Sequence, residues 1–366
     1  MPMNHRLLRH SQGGFISPDA DARAYLAAVR EADEANLEPA VAKAISDFII
    51  GCKSDGIWDA IKASCILAGA RTLDGALVPL KGDAPQPNNF ISSDYIRASG
   101  LRGDGIYKYL DSNRANNADP TLSKHLTVFS TRHHTRDKTR ADAGSDGSSY
   151  GGSQLLATTN KRFYRINWAP SNRNIPDTSS QAGFWGASRD NADNTNGRYG
   201  GTDYILDISA QSPTSTSTKI FSRDTSYSDA RIAFYSIGEN IDLAALDTRV
   251  SALVTAIGGV LATVPSAPTI TSSEQDHTLG QGNEIYLTWT EPFDGGLPIL
   301  GYYIYVEDSR LPDQDFETDP YVLGPGILNA MVFHNAGADY LAGNEVRVSA
   351  YNAKGEGPQS EAIVPQ

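Results

Sequence analysis

Short stretches of alternating apolar and polar residues run from Leu73 to about Ser236, separated by clusters of Gly, Asn, Asp and Ser. Such stretches are typical of half-buried β-strands, and the clusters are typical of turns. Parallel βαβ units are excluded because no helical pattern intervenes. The pattern predicts an antiparallel β-sandwich or barrel, with strands at 126–130, 162–168, 202–209 and 231–238 and long polar loops at 141–153 and 188–201.

The acidic residues of this β-rich region are unusual in kind. No glutamate occurs between Glu38 and Glu239, and aspartate, asparagine, serine and glycine fill the stretch instead. These residues favour turns and oppose long helices. At 366 residues the chain is long enough for two or three domains.

A helical segment precedes the β-rich region. After an arm at 1–16, the apolar spacing predicts three helices, beginning at Ser17-Pro18, at Pro39 and at Ser54, the last ending before Gly69. The only two cysteines, Cys52 and Cys65, lie on apolar faces of these helices and are expected in the core. Two cysteines also exclude a disulfide framework and a cysteine-based zinc module.

A fourth helix is predicted at 241–262, where apolar residues from Leu243 to Ile257 form a single stripe. Such a stripe packs on its own domain or forms a coiled coil between subunits, and both alternatives stay open. No run of about 18 apolar residues occurs, so no membrane insertion is expected. The first 15 residues lack the apolar region of a secretory signal peptide.

The net charge of −12 is concentrated at one end of the chain. Residues 265–366 carry 15 acidic and 3 basic residues, whereas the rest carries 28 of each. Phosphates would be repelled by this acidic segment, so nucleic acid is not an expected partner. A proline-bounded linker at 263–268 separates the segment from the helix before it.

The final segment resembles a fibronectin type III module. Trp289 is followed by Pro292, Asp294-Gly295-Gly296, Pro298-Ile299 and Gly301-Tyr302, and the string VSAYNAKGEGPQS ends the pattern. The resemblance implies a β-sandwich that acts as a spacer or an adhesion surface. One departure is Asn344, which stands where the family usually has its corner tyrosine.

Residues 17–262 resemble a family of tailed-bacteriophage virion proteins. The strings that carry the resemblance lie at 53–80, 100–113 and 231–257. The family implies a mainly β fold: a helical N-terminal segment, a concanavalin A-like (laminin G-like) jelly roll, and here the fibronectin type III sandwich. The expected domains are an N-terminal attachment segment at 1–85, the jelly roll with its closing helix at 86–262, and the module at 265–366.

The same resemblance sets expectations for location and partners. The protein would be part of a virion that is assembled in the host cytoplasm, which agrees with two unpaired cysteines. Its N-terminal segment would contact other virion proteins, and the chain would form a symmetric homo-oligomer, of which a trimer is one form.

Catalytic signals are lacking in the sequence. Jelly-roll glucanases use two glutamates flanking an aspartate on one strand, but the sandwich region has no glutamate before Glu239. No G-x-S-x-G motif occurs either. His133-His134 are expected in a basic exposed loop rather than in a metal site, and Arg102-Gly103-Asp104 in a turn between strands. We therefore expect no enzymatic activity and no catalytic residues.

A sugar site is the leading ligand hypothesis. Sugars stack on exposed aromatic rings and form hydrogen bonds with Asp and Asn side chains. The candidate residues are Trp168, Trp185, Tyr199, Asn191, Asp193 and Asn194. The alternative is that both tryptophans belong to the sandwich core. A calcium site at Asp190, Asp193 and Asp203 is a further alternative, and no other metal or cofactor is expected.

These expectations lead to one functional hypothesis with two alternatives. The first is a non-enzymatic tail fibre or spike component that attaches to a host surface polysaccharide. The second is a capsid or tail decoration protein that cements neighbouring subunits. A glycan hydrolase is a distant third.

Overall fold

The structure is a computed structural model that describes residues 15–134, 139–145, 150–169, 173–176, 182–276, 284–306, 309–310, 328–333 and 345–364. The chain divides into two compact units, Met1–Val260 and Leu261–Gln366. The boundary predicted near residue 85 and the attachment role of segment 1–85 stay predictions. Most of the arm at 1–16 lies outside the described residues.

The described residues contain four α-helices: α1 (Ala20–Asp33), α2 (Pro39–Ser54), α3 (Leu73–Ala76) and α4 (Leu243–Leu261). Helix α2 begins at Pro39 as predicted. Helix α1 begins later than predicted, because Asp19 is its N-cap and accepts a hydrogen bond from the Ala22 amide. Ser17, the expected cap, instead lies 2.6 Å from the Ser46 hydroxyl.

The first unit contains seventeen strands among its described residues: β1 (Ile61–Ile66), β2 (Gln86–Asn88), β3 (Tyr95–Ile96), β4 (Gly100–Arg102), β5 (Tyr109–Ala115), β6 (Lys124–Arg132), β7 (Arg140–Gly144), β8 (Gln154–Thr158), β9 (Lys161–Arg165), β10 (Ile175–Pro176), β11 (Gly183–Arg189), β12 (Asn194–Tyr199), β13 (Thr202–Asp207), β14 (Ser217–Ile220), β15 (Ser222–Arg223), β16 (Ser226–Tyr227) and β17 (Arg231–Gly238). The four strands predicted from the apolar alternation are all present, as β6, β9, β13 and β17.

Two large antiparallel sheets form the sandwich. One has eight strands in the order β13, β12, β11, β6, β17, β4, β3, with β1 also paired to β17. The other has seven strands in the order β10, β9, β8, β7, β14, β5, β2. Buried residues from both sheets meet between them, among them Leu126, Val128, Leu155 and Ile220. The mainly β fold class with a helical N-terminal segment is therefore confirmed.

The prediction of a third helix between Ser54 and Gly69 is wrong, because the second half of this segment is strand β1. Gly56, with a φ of +71°, follows the end of α2, and Ile61–Ile66 pairs with β17. The strand is buried along almost its whole length. An apolar run of this kind suits a buried strand as well as a helix, so spacing alone could not separate the two. Cys52 and Cys65 are both fully buried, as expected, but Cys65 lies on this strand.

Helices α2 and α4 cover the outer face of the eight-stranded sheet. The rings of Phe48 in α2 and Phe234 in β17 meet edge to face at 5.5 Å. The stripe of α4 is buried within the unit, and a Cβ on Gly186 of β11 would lie 3.1 Å from Leu243. Packing on its own domain is thus confirmed for this stripe. By length and composition alone α4 could also cross a membrane, but 44% of it is buried inside the protein.

One predicted long loop is mostly a hairpin. Residues 188–201 contain the end of β11, a short turn and all of β12, and the two strands pair in register from Trp185–Tyr199 to Ser188–Asn196. Only the turn between them and the turn residues Gly200 and Gly201 lie outside the strands. Polar side chains alternate with buried residues along β12. The segment is therefore rich in polar residues although it is a strand and not a loop.

The second unit is a smaller sandwich with its own core. Its strands are β18 (Thr269–Asp276), β19 (Glu284–Thr290), β20 (Gly301–Val306), β21 (Ser309–Arg310), β22 (Asn329–Phe333), β23 (Val346–Asn352) and β24 (Gly355–Glu356). One sheet has the order β18, β19, β22 and the other β21, β20, β23, β24. Trp289 and Tyr302 pack in the core with ring centroids 5.4 Å apart. Asn344 lies outside the described residues.

Candidate functional site

The three aromatic residues of the expected sugar site are buried. Trp185 is 1% exposed, Tyr199 8% and Trp168 9%, and all three belong to the sandwich core. The expected exposure of these rings is wrong: alternation along β11 and β12 turns Trp185 and Tyr199 inward, and Trp168 is buried in the segment after β9. The core alternative for the tryptophans is confirmed.

Neighbouring arginines also occupy the faces of these rings. Trp185 and Tyr199 are cross-strand partners, and the Arg162 guanidinium lies 4.6 Å and 3.7 Å from their ring centroids. The Arg165 guanidinium lies 4.0 Å from the ring of Trp168. These cation–π contacts are stabilising, and each occupies a ring face on which a sugar would have to stack.

The polar residues of the expected site lie at the turn between β11 and β12. The Asn191 side-chain oxygen accepts hydrogen bonds from the Asp193 and Asn194 amides at 2.9 Å and 2.8 Å. The buried Arg189 donates to the carbonyl of Asn191 at 3.0 Å. Asn191 therefore builds the turn, whereas Asp193 is exposed to solvent and Asn194 is half-buried.

A polar groove lies next to this turn, on the outer face of the eight-stranded sheet. It has a volume of about 420 Å³ and runs between β11–β13 and the start of α4. We call it the polar groove, and its polar lining comprises Ser188, Asp190, Asn196, Asp203, Asn240 and Asp242. Ile205, which is 74% exposed, and Leu243 add apolar surface. The groove thus combines amide, hydroxyl and carboxylate groups with two aliphatic side chains.

Hydrogen bonds hold the walls of the polar groove in place. The Ser188 hydroxyl donates to the Asn240 side-chain oxygen at 2.7 Å and accepts from the Ile241 amide at 3.2 Å. Asp242 caps α4 by accepting from the Ala244 and Ala245 amides at 2.9 Å and 3.0 Å. A wall fixed in this way needs little reorganisation when a ligand binds.

Arg198 links the strand side of the groove to α4. Its guanidinium lies 2.7 Å from an Asp203 oxygen and 2.8 Å from an Asp247 oxygen. Burial alone would lower the pKa of Arg198, but the hydrogen bonds with Asp203 and Asp247 raise it. Asp203 is therefore paired with an arginine. Among the described contacts, Asp190 accepts a hydrogen bond only from the side-chain nitrogen of the neighbouring Asn191.

The calcium alternative is not supported by the geometry. Within the described part of the chain, no group of three His, Cys, Asp or Glu side chains is arranged to hold a metal ion. Asp203 is bound to Arg198, and Asp190 and Asp193 lie at the turn with Asn191. These three aspartates do not converge on one point.

The sequence predicted an exposed loop at the adjacent histidines His133 and His134, and this prediction is wrong. His134 is 3% exposed, and its Nδ1 lies 3.3 Å from an oxygen of the buried Asp142. Burial, followed by the charges of His134 and Arg162, lowers the pKa of His133 to about 4. The Ser228 hydroxyl donates to Asp142 rather than to an imidazole. Among the described residues of this cluster, Ser228 therefore makes no nucleophile–base contact with His133 or His134.

The Arg102-Gly103-Asp104 tripeptide lies where β4 ends and a turn begins, as predicted. One Asp104 oxygen accepts from the amides of Ile106, Tyr107 and Lys108 at 2.9–3.0 Å. Burial would raise the pKa of Asp104, but these backbone donors lower it. The carboxylate therefore holds the turn that leads into β5.

Sequence reasoning missed most of the polar groove. Asn196 alternates with buried residues along β12, Asp203 is exposed on β13, and Asp242 precedes the apolar stripe of α4 as an N-cap. These local signals are visible in the sequence. Their convergence depends on how α4 returns to the sheet, which no local pattern encodes.

Comparisons with known proteins give only distant similarities. No protein-family model matches the sequence, and no curated protein does. A Trypanosoma rangeli sialidase is similar over 54% of this chain at 9% identity and a TM-score of 0.39. The chain spans 33% of the length of that sialidase.

Two further solved structures are similar at the same distance. The botulinum neurotoxin serotype D binding domain covers 81% of this chain and is itself covered over 73%, at 11% identity and a TM-score of 0.38. A protein described as FN3tt mut is matched over its whole length by 28% of this chain, at 16% identity and a TM-score of 0.18. Similarities this distant carry no argument about what this chain binds, so its β-sandwich class rests on its own sheets.

Proposed function

We propose that this protein is a non-enzymatic carbohydrate-binding protein and that the polar groove holds the glycan. One observation carries the proposal: Asn196 and Asp190 meet the fixed start of α4 in an open groove of about 420 Å³. Amide, hydroxyl and carboxylate groups form hydrogen bonds with sugar hydroxyls, and Ile205 and Leu243 can contact the C–H faces of a sugar ring.

The proposed setting is the surface of a bacteriophage virion, where the protein would act as a tail fibre or spike component that attaches to host polysaccharide. The sequence strings at 53–80, 100–113 and 231–257 support this setting. The three-stranded and four-stranded sheets of the second unit support its assignment as a fibronectin type III spacer. Attachment through the N-terminal segment and a symmetric homo-oligomer belong to the same proposal.

A glycan array printed with bacterial surface polysaccharides tests the binding proposal. We expect a subset of glycans to bind the full chain, and binding to fall about tenfold in Asp190→Ala and Asn196→Ala, since each substitution removes a hydrogen-bonding group. Asp83→Ala is the matched control, because Asp83 is exposed and lies outside the groove. Equal losses in all three variants, or no glycan bound, would contradict the proposal.

A decoration protein is the second candidate, and exposed apolar side chains favour it. Ile91 is 60% exposed, Ile106 65% and Tyr107 51%, and the Asn89 side chain donates to the Tyr107 carbonyl, so the two segments are adjacent. Exposed apolar groups of this kind are typical of contacts with another protein. Cryo-electron microscopy of intact virions separates the candidates: density at a fibre or tail tip supports attachment, and density between capsid subunits supports decoration.

A further inference from the structure

A second row of polar side chains lies on the other sheet of the first unit, on the side of that sheet away from the core. Strand pairing places Arg165 opposite Gln154, Gln154 opposite Gly144, and Gly144 opposite Lys219. The next residues along the strands, Tyr164, Leu155 and Ile220, point into the core. Arg165, Gln154 and Lys219 therefore share the outer face in one row across four strands.

The hairpin of β15 and β16 adds a second arginine to this row. Arg223 lies over Gly144, where a Cβ would be 3.0 Å from the Arg223 Cγ. Its guanidinium donates to the Gln154 side-chain oxygen at 2.5 Å. The absence of a side chain at Gly144 thus lets Arg223 approach the sheet beside Arg165 and Lys219. We call Arg165, Gln154, Arg223 and Lys219 the basic row.

The electrostatics of the basic row favour an anion. Burial, followed by the neighbouring Arg223, lowers the pKa of Arg165 to about 10, because two guanidinium groups repel each other in a site shielded from water. Asp111 follows Lys219 in the same row, but the Ser217 hydroxyl and the Asn113 amide already donate to it.

Two donors in the basic row lack acceptors within the described residues. The Gln154 side-chain nitrogen and the Arg223 Nε are both buried without a hydrogen-bond partner, and Gln154 is 0% exposed. Buried donors are rarely left unpaired, since each costs about 1–3 kcal/mol. An oxygen atom brought to either nitrogen would satisfy it.

Aromatic rings flank the row on both sides. The Lys219 ammonium lies 4.7 Å from the ring centroid of Tyr109, and Tyr109 and Tyr227 are 6.5 Å apart. At the other end, Arg165 lies 4.6 Å from the ring centroid of Phe163. Partly exposed rings beside cationic groups suit a ligand that carries an apolar ring face together with a negative charge.

We propose that the basic row binds the carboxylate of an acidic sugar, such as a uronic acid within a polysaccharide. A planar carboxylate can accept two parallel hydrogen bonds from one guanidinium, and the neighbouring amide and ammonium groups add further donors. The site lies on the opposite sheet from the polar groove, so it does not depend on the function proposed for that groove.

Isothermal titration of the full chain with oligogalacturonate at low ionic strength tests this proposal. We expect saturable binding that weakens about tenfold or more in Arg223→Gln and Lys219→Gln, as lost charge-assisted hydrogen bonds require. Gln154→Met should weaken binding without a change of charge. Lys43→Gln is the matched control, because Lys43 is an exposed cation on α2 that pairs with Asp47.

Each outcome decides the proposal. No saturable binding, or an equal loss in Lys43→Gln, would overturn it by showing that only general charge attraction is at work. Acetate and sulfate serve as separate arms, and binding of either as tightly as oligogalacturonate would overturn the assignment to a sugar. Thermal unfolding identifies a variant that fails to fold, in which case the other substitutions still decide. Binding of oligogalacturonate that is lost in the polar-groove variants but kept in Arg223→Gln and Lys219→Gln would also overturn it, because the acidic sugar would then bind in the polar groove.

Discussion

Buried charged residues organise the first sandwich at the scale of single side chains. Arg189 is fully buried and donates to the carbonyls of Ile166 and Ile208 at 2.8 Å and 2.7 Å. It therefore joins β11 to two neighbouring segments and fixes the turn beside the polar groove. Removing one partner of such a network leaves buried groups unpaired, so a substitution of Arg189 is expected to destabilise the first unit.

His125 makes a pH dependence predictable at this scale. Its Nδ1 donates to the Glu239 carbonyl at 2.5 Å, and its Nε2 then accepts from the Ser236 hydroxyl at 2.7 Å, so the ring is neutral in the fold. Burial lowers its pKa to about 4, against the weaker opposite effect of the Glu239 carbonyl. The unfolded chain binds a proton at higher pH, near 6.5. The contribution of His125 is therefore complete above this value and is lost as the pH falls toward 4.

The measurement is the free energy of unfolding from urea titrations at pH 7 and pH 5. Between pH 7 and pH 5 we expect the free energy of unfolding of the wild-type chain to fall by about 2 kcal/mol more than that of His125→Gln. The reason is that His125 gains a proton on unfolding, whereas a glutamine at this position does not. His125→Gln should be the less stable protein at pH 7. An equal pH dependence in both proteins would show that His125 does not bind a proton on unfolding.

At the scale of elements, the contact between α2 and the eight-stranded sheet joins the helical segment to the sandwich. Phe48 is 3% exposed and Phe234 is fully buried, and their rings meet at 68°. Strand β1 is the next strand after α2, beyond a short 3-10 helix at Trp58–Ala60, and it pairs with β17. The helices and the strand after them therefore belong to one packed structure, which explains why short helices are stable here.

Phe48→Ala tests how strongly this contact stabilises the first unit. We expect a loss of about 3–5 kcal/mol in the free energy of unfolding, because a large buried ring is replaced by a cavity. Ile50→Ala on the same helix is the control, since Ile50 is 37% exposed and should cost under about 1 kcal/mol. Urea titration followed by far-ultraviolet circular dichroism gives both values. Losses of similar size in the two variants would contradict a specific role for Phe48.

At the scale of the whole molecule, charge and structure divide the chain at nearly the same point. The second unit begins at Leu261, and residues 265–366 carry 15 acidic and 3 basic residues. The second unit has its own core around Trp289, Tyr302 and Val348. An independent core predicts independent folding, and a strong excess of one charge predicts sensitivity to salt.

The segment 261–366 expressed by itself should fold cooperatively. Trp289 is its only tryptophan and is 3% exposed, so we expect blue-shifted fluorescence that shifts to the red in one step on denaturation. Raising the ionic strength from about 10 mM to about 150 mM should stabilise it by screening repulsion. The segment 1–260 should show little salt effect because its charges balance. Red-shifted Trp289 emission without denaturant would rule out independent folding.

Much of the fold could be predicted from residue patterns, because alternation and turn residues act locally. The strands β6, β9, β13 and β17, the start of α2 and the apolar stripe of α4 follow from spacing alone. The helix predicted across Ile61–Ile66 is wrong because pairing with β17, a distant segment, decided between two states that the spacing allows. The prediction of an exposed loop at His133-His134 is wrong for a similar reason, since the residues that contact these histidines, Asp142 and Arg162, come from other strands.

The candidate sites show the same division. The sequence by itself determined which residues form strands, where the charge lies and that the sandwich lacks glutamate pairs. Only the tertiary structure decided that Trp185 and Tyr199 face Arg162 in the core, and that Asn196 and Asp190 open onto a groove with α4. The physical reason is that local patterns set the conformation of each segment, whereas the face that meets water depends on which distant segments pack against it.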